Sequence, residues 1–287
     1  MASIQALRRR IRSIQGTTKI VRAMEMVATA KMRRTQQRAL AGRPYTEKIR
    51  QVIADLAIEP RIKGRILPLL QKREVKKIVL VHIGTDRGLC GGLNTNLNRQ
   101  VGEFILQQKV PVTVITVGRK ARAFARIAKL DVRAEFSGIS DRATMQETMP
   151  ISRVVIDDYS KGEMDLIYLA YPDFISTMVQ KPTIQTLLPI EPTKLPTGQV
   201  AEYIYEPDPL SVLNELLPRF VEMEIYHAVI ELIASEQSAR MVAMRNAGDN
   251  AEDLIKDLTL SLNKARQEII TKEICDISGG AEALTVQ

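Results

Sequence analysis

The sequence predicts an α/β body joined to a long antiparallel two-helix coiled coil, and three observations carry that expectation. All thirteen prolines fall between Pro44 and Pro218, so both ends lack the residue that most strongly interrupts a helix. At both ends apolar residues recur in steps of three and four. Between them, β-branched runs alternate with helical stretches, the order that builds a mostly parallel sheet covered on its faces.

At the N-terminus the stripe is Ile4, Leu7, Ile11, Ile14, Thr18 and Val21, narrowing through Met24, Ala28 and Met32. Alternating steps of three and four are the a/d spacing of a coiled coil. Ile49, Val52, Ile53 and Leu56 carry the helix towards a stop near Pro60, a length on the order of 80 Å. In the middle, 75–83, 112–117, 166–170 and 183–188 read as strands. Helices are expected at about 93–108, 120–129 and 144–159. The C-terminal stripe starts at Leu210, Leu213, Leu217 and Phe220 and resumes at Ile225, Val229 and Leu232. After a small-residue stretch it returns at Leu254, Leu258, Leu262, Ala265 and Ile269, then at Ile274, Ile277, Ala281 and Leu284. Such a helix, about 100 Å if continuous, cannot be flanked by a compact core along its whole length. The other long helix is its natural partner. Gly248 reads as an interruption costing about 1 kcal/mol. The expected division is 1–58 and 208–286 for the coil, with a Rossmann-like α/β domain over 74–206.

Bulk properties restrict the class further. A hydrophobic fraction of 45% with 26% charged residues is that of an ordinary globular chain. Aromatics are scarce at 4%, with no Trp, which leans towards helix. The net charge of +8 invites an acidic partner. Its excess is concentrated from Arg8 to Arg50, opposed there only by Glu25 and Glu47. Such a run is either a solvated helix face or a docking track for something negative. Two distant cysteines make neither a metal pattern nor a disulfide framework and suit a reducing compartment. No signal peptide or spanning segment is expected, so the protein should be soluble, with docking onto a membrane complex still open.

The local motif closest to chemistry is Gly84-Thr-Asp-Arg-Gly-Leu-Cys-Gly-Gly-Leu-Asn94. It follows a strand and opens a helix, where phosphate-binding glycines sit. It lacks the Lys-Ser/Thr of a P-loop and the dinucleotide spacing, so a tight glycine turn is the expectation. Cys90 has no His or acid beside it in sequence and reads as a small buried residue. His82 alternates with strand residues and reads as structural. His227 has Glu224 and Glu231 at i−3 and i+4, the spacing of a surface ion pair. No catalytic, cofactor-binding or metal-ligating set emerges. The residues alone leave three readings: a mechanical or scaffolding protein, a basic coiled-coil nucleic-acid binder, or a Rossmann-like enzyme with helical extensions. A nucleic-acid binder would benefit from stacking aromatics, and the basic segment has only Tyr45.

Both ends of the chain resemble one family. The stretch Thr18-Lys-Ile-Val-Arg-Ala-Met-Glu-Met-Val-Ala-Thr-Ala-Lys-Met-Arg-Arg34 is similar to the opening helix of the gamma subunits of rotary ATP synthases. So are the strand-turn Thr85 to Asn94, the segment Tyr205-Glu-Pro-Asp-Pro209 and the run Ser235-Glu-Gln-Ser-Ala-Arg-Met-Val-Ala-Met244 with Asp249 and Asn250 following. The end, Asn263-Lys-Ala-Arg-Gln-Glu-Ile-Ile-Thr-Lys-Glu273 running to Asp276, Gly280 and Ala281, fits as well. The resemblance covers essentially the whole chain in order. It departs at Val21-Arg22, where Thr-Lys is common, and at Gly279 beside Gly280. The cysteine-pair insert of the chloroplast form and a transit peptide are absent, so the resemblance is to a bacterial form.

The resemblance implies a non-catalytic central-stalk rotor of a proton-translocating ATP synthase. Its coiled coil would turn inside a hexamer of alternating catalytic and non-catalytic subunits, one copy per hexamer, with acidic levers facing its basic track. It implies contacts to the catalytic ring through Met24, Arg240, Arg266, Gln267, Thr271 and Glu273, and an apolar tip, 283–286, in a hydrophobic collar. Tyr203 and Tyr205 would touch the membrane rotor ring or the small epsilon subunit. It further implies no cofactor, no nucleic acid, and a peripheral place on the cytoplasmic face of a bacterial cell membrane.

Overall fold

The computed structural model describes residues 4–58, 67–190 and 205–285, and within its helices the side chains of 39–43, 45–47, 57–58, 280 and 282–285 fall outside the description. By their contacts the residues form two units, Met1–Val27 with Met241–Gln287, and Ala28–Arg240. The long helices are α1 (Ile4–Ile58) and α5 (Pro209–Thr285).

In the smaller unit the expected stripe is present on α1, but on α5 it is shifted and shorter: Ile255 takes the place expected of Leu254, and Ile269, Ile274 and Ile277 are exposed where packing was expected. Half-buried residues on α1 are Ile4, Leu7, Ile11, Ile14, Thr18 and Val21, and on α5 Ala251, Ile255, Leu258, Leu262 and Ala265. Both sets step by three and four, the spacing of a coiled-coil seam. The helices are antiparallel: Arg22 reaches Asp249 and Glu252, while Glu25, one turn further along α1, reaches back to Arg245.

The larger unit is built on a five-stranded sheet in the order β3-β2-β1-β4-β5. The strands are β1 (Ile78–Ile83), β2 (Val112–Val117), β3 (Asp131–Phe136), β4 (Leu166–Phe174) and β5 (Gln180–Leu188). The first four are parallel and β5 returns antiparallel along β4. Connecting helices are α2 (Leu93–Gln107), α3 (Arg119–Ile127) and α4 (Met145–Ser160). Period-two alternation sorts the strand side chains between two layers. Val79, Val81, Ile83, Ile167 and Leu169 join α4, the end of α1 and the first part of α5 in the main core. Leu80 and Ala170 face the other way, against Leu97 and Val101 of α2 and Phe124 of α3.

Two further features depart from the sequence reading, the strand β3 and the surroundings of His227. The edge strand β3 was not anticipated: its Asp131, Arg133 and Glu135 alternate with Val132, Ala134 and Phe136, so only one face is apolar. Both long helices run through a proline, Pro44 in α1 and Pro218 in α5. A proline inside a helix costs about 3 kcal/mol, and at Pro218 the buried Leu213, Leu217, Phe220 and Val221 around it hold the helix by packing. His227 is not in a surface pair. Its Nε2 lies 3.5 Å from a Glu231 carboxylate that is itself buried and accepts the Phe174 N–H, while Glu224 pairs with Arg50.

The start of α5 is capped by sequence. Asp208 accepts the N–H groups of Leu210 and Ser211 and the Ser211 hydroxyl, and Pro209 takes the first helical position, which needs no N–H. The Ser211 hydroxyl first, with these N–H groups, holds the Asp208 carboxyl below its usual range.

His82 in β1 is fully enclosed with its ring edge-on to Phe124, and neither ring nitrogen has a hydrogen-bond partner among the described residues. Burial drives its pKa down from 6.5 to about 4. The imidazole therefore stays neutral in the fold while the unfolded chain takes a proton below pH 6.5. Stability should be level above pH 6.5 and fall towards pH 4, by on the order of 3 kcal/mol from this group. Urea unfolding at a series of pH values should show that slope, and His82→Leu should flatten it.

Candidate functional site

Two places gather the sequence-predicted residues, one in each unit. In the smaller unit, Arg22 lies across Gly248: a Cβ built on that glycine would sit 3.0 Å from the Arg22 Nε and 3.1 Å from its Cζ. The missing side chain lets the guanidinium pass over the helix and reach Asp249 at 2.7 Å and Glu252 at 3.0 Å. Arg22 also holds Glu25, which Arg245 meets at 2.9 Å. The Arg245 hydrogen bond first, then Arg22, keep the Glu25 carboxyl low. α5 is helical through Gly248. The glycine serves a helix crossing.

Met24 is half-buried on this seam, while Met26 and Val27 beside it are exposed. Arg266, Gln267, Thr271 and Glu273 all lie exposed on the distal part of α5. Ile269, Ile270, Ile274 and Ile277 are exposed there too, Ile277 by 72%. Opposite in character, Arg8, Arg9, Arg10, Arg12 and Lys19 of α1 are exposed and, among the described residues, have no carboxylate within ion-pairing distance. Tyr203 and the tip side chains 283–286 lie outside the described residues. Tyr205 is half-buried against the main core.

Arg240 is placed differently from the other residues to which the resemblance assigns ring contacts. It is buried in the larger unit, paired with the buried Glu236 one turn back and donating to the Gly88 carbonyl at 3.2 Å. Burial pushes the Glu236 carboxyl up against the pull of Arg240. Arg240 thereby joins α5 to the glycine turn.

That turn closes itself. Asp86 accepts the Arg119 N–H at the start of α3 (2.9 Å) and the Gly138 N–H (2.8 Å). A carboxylate of this chain thus caps the N-terminus of α3, a place suited to an anion. Thr85 and Asn94 exchange hydrogen bonds, and the Asn94 amide lies 3.2 Å from the Cys90 sulfur. Burial raises the Cys90 thiol pKa, the opposite of what a nucleophile needs. Among the described residues no cluster of His, Cys, Asp and Glu could hold a metal, and no helix is long and apolar enough to cross a membrane.

Residues 3–284 match the family described as ATP synthase. This chain belongs to that family. An "ATP synthase gamma chain" of Dehalococcoides mccartyi is 58% identical, with 99% of this chain and 100% of the relative covered. One of Chloroflexus aurantiacus is 46% identical at the same coverage. A chain of the Euglena gracilis mitochondrial ATP synthase, in a structure of "OSCP/F1/c-ring, rotational state 3", has the same fold. Its TM-score is 0.70 at 22% identity, covering 98% of this chain and 94% of that one.

Two substitutions test these assignments. Gly118 has φ +93° and its Cβ would lie 2.1 Å from the Gly84 carbonyl oxygen, so Gly118→Ala should cost roughly 3 kcal/mol or more in urea unfolding. Gly248→Ala should gain helix preference of up to about 1 kcal/mol, in full only when Arg22→Ala has first cleared the crossing. A cycle of unfolding measurements on the two single and one double variant separates these terms.

Proposed function

We infer that the chain is the central shaft of a rotary ATP synthase, a non-catalytic subunit that transmits torque. The observation carrying this reading is a pair of antiparallel long helices with apolar stripes in three- and four-residue steps and a run of exposed cations, in a chain 58% identical to a gamma chain. A seam of that spacing resists sliding and twist. Arg8, Arg9, Arg10, Arg12 and Lys19, without a carboxylate partner among the described residues, offer contacts to acidic levers. Exposed pairs are worth only about 0–1 kcal/mol each, which suits contacts that break at every step.

On this reading the chemistry resides in partner subunits, catalytic and non-catalytic ones alternating around one copy of this chain. Met24, Arg240, Arg266, Gln267, Thr271 and Glu273 serve the ring: five through contact, and the buried Arg240 through Glu236 and the glycine turn. The exposed isoleucines from Ile269 to Ile277 suit an apolar collar. Residues 1–58 and 208–286 act as shaft and 74–206 as foot, where Tyr203 and Tyr205 meet the membrane ring or the epsilon subunit. The complex lies on the cytoplasmic face of a bacterial membrane. Family membership supports this reading over a nucleic-acid binder or a Rossmann-like enzyme.

Co-expression with the catalytic and non-catalytic subunits tests the reading. A stable complex with one copy of this chain should hydrolyse ATP, and omitting the chain should collapse that activity. A chain that never joins the hexamer, or that hydrolyses nucleotide alone, sinks it.

A further inference from the structure

Beyond its role as a shaft, the larger unit contains a cleft of about 470 Å³ at the carboxyl ends of β1, β2 and β3, within the range of small-molecule sites. In open α/β sheets this end of the strands is where ligands bind. One wall is apolar, formed by Val229, Leu232 and Ile233 of α5 with Ile139 opposite. The acids of the lining each have a partner inside the fold. Asp86 takes two backbone N–H groups, Asp141 takes Lys31, and Glu236 takes Arg240. The arginines do not. Arg87 and Arg142 line the cleft, are exposed, and have no carboxylate partner among the described residues, and Arg119 reaches Asp86 only at 3.8 Å.

We propose that this cleft binds a small organic anion, its apolar body against Val229, Leu232 and Ile233 and its phosphate or carboxylate held by Arg87, Arg119 and Arg142. Guanidinium groups pair with both kinds of oxyanion in a fork geometry, and an apolar wall excludes water from one side of the contact. Asp86 keeps the helix terminus of α3 for itself, so the anion is recognised by side chains and not by backbone N–H groups. Because α5 forms one wall and the strand-end loops the other, an occupant links them and joins the tie made by Arg240 to Gly88.

The full chain is titrated with anilinonaphthalene sulfonate, itself an anion on an apolar body, and its fluorescence followed. A saturable component should weaken at least about tenfold in the double variant Arg87→Gln/Arg142→Gln. Neither side chain has a carboxylate partner among the described residues, so the thermal midpoint should stay unchanged. Met178→Gln, on the exposed hairpin between β4 and β5, should leave binding as it was. Arg119→Gln provides a second, independent reading of the same site. Displacement by ADP or pyrophosphate identifies a phosphate ligand and displacement by decanoate a carboxylate one; either supports the proposal. Unaltered dye binding in both arginine variants, or a saturable component displaced by none of the three, overturns it.

Discussion

Within the larger unit everything depends on one helical stretch. From Ala228 to Ser238 every residue of α5 is buried, on all sides of the helix. A helix enclosed all round is normally apolar all round, because polar groups lose water there. This one contains Glu231, Ser235, Glu236, Gln237 and Ser238, and most of these carry a bond that fixes the helix in position. Glu231 accepts the Phe174 N–H, Ser235 donates to the Pro172 carbonyl and Ser238 to the Thr177 carbonyl. Together they tie α5 to the end of β4 and the hairpin beyond it. The sheet, α4 and the end of α1 are arranged around that stretch.

Apolar burial and polar ties do different work here. Val229, Ile230, Leu232 and Ile233 supply the non-directional term, roughly 1.5–3 kcal/mol for each fully buried side chain. That term would tolerate sliding by a turn. The hydrogen bonds would not, since each would leave a buried donor or acceptor unmet at a cost of about 1–3 kcal/mol. The apolar contacts hold the helix in place and the polar ones set its register. For a helix that must carry torque, register is the property at risk.

How much of this could be read from residues depended on whether the signal was periodic. The α1 stripe, the α5 stripe from Leu213 to Leu232, the strands β1 and β2 and the helices α2 and α4 follow from spacing alone, since burial on one face imposes a period. The distal Ile269, Ile274 and Ile277 of α5, by contrast, read as a seam and lie exposed. β3 escaped because an edge strand with Asp131, Arg133 and Glu135 outward has a short, weak apolar alternation. The polar ties of α5 escaped for a related reason. The small-residue stretch around Ala234 and Ser235 reads as a gap in the apolar stripe, when it is the most enclosed part of the helix. Gly248 looked like a flaw because its partner, Arg22, lies 226 positions away in sequence. Arg240 was placed on the ring by resemblance, and only the fold brings Gly88 and Glu236 to it.

The glycine turn illustrates how a fold associated with nucleotide binding can serve mechanics. Gly118, with positive φ, lets the end of β2 approach Gly84 closely enough for its carbonyl to exclude any side chain. Asp86 adds a covalently attached carboxylate that cannot leave, and its two oxygens bind the loops after β2 and β3 together. Arg240 then joins α5 to the same turn through the Gly88 carbonyl. Because that carboxylate is part of the chain, the joint stays stiff whether or not the neighbouring cleft holds a ligand. For a part that transmits force without performing chemistry, stiffness is the property that Asp86 secures.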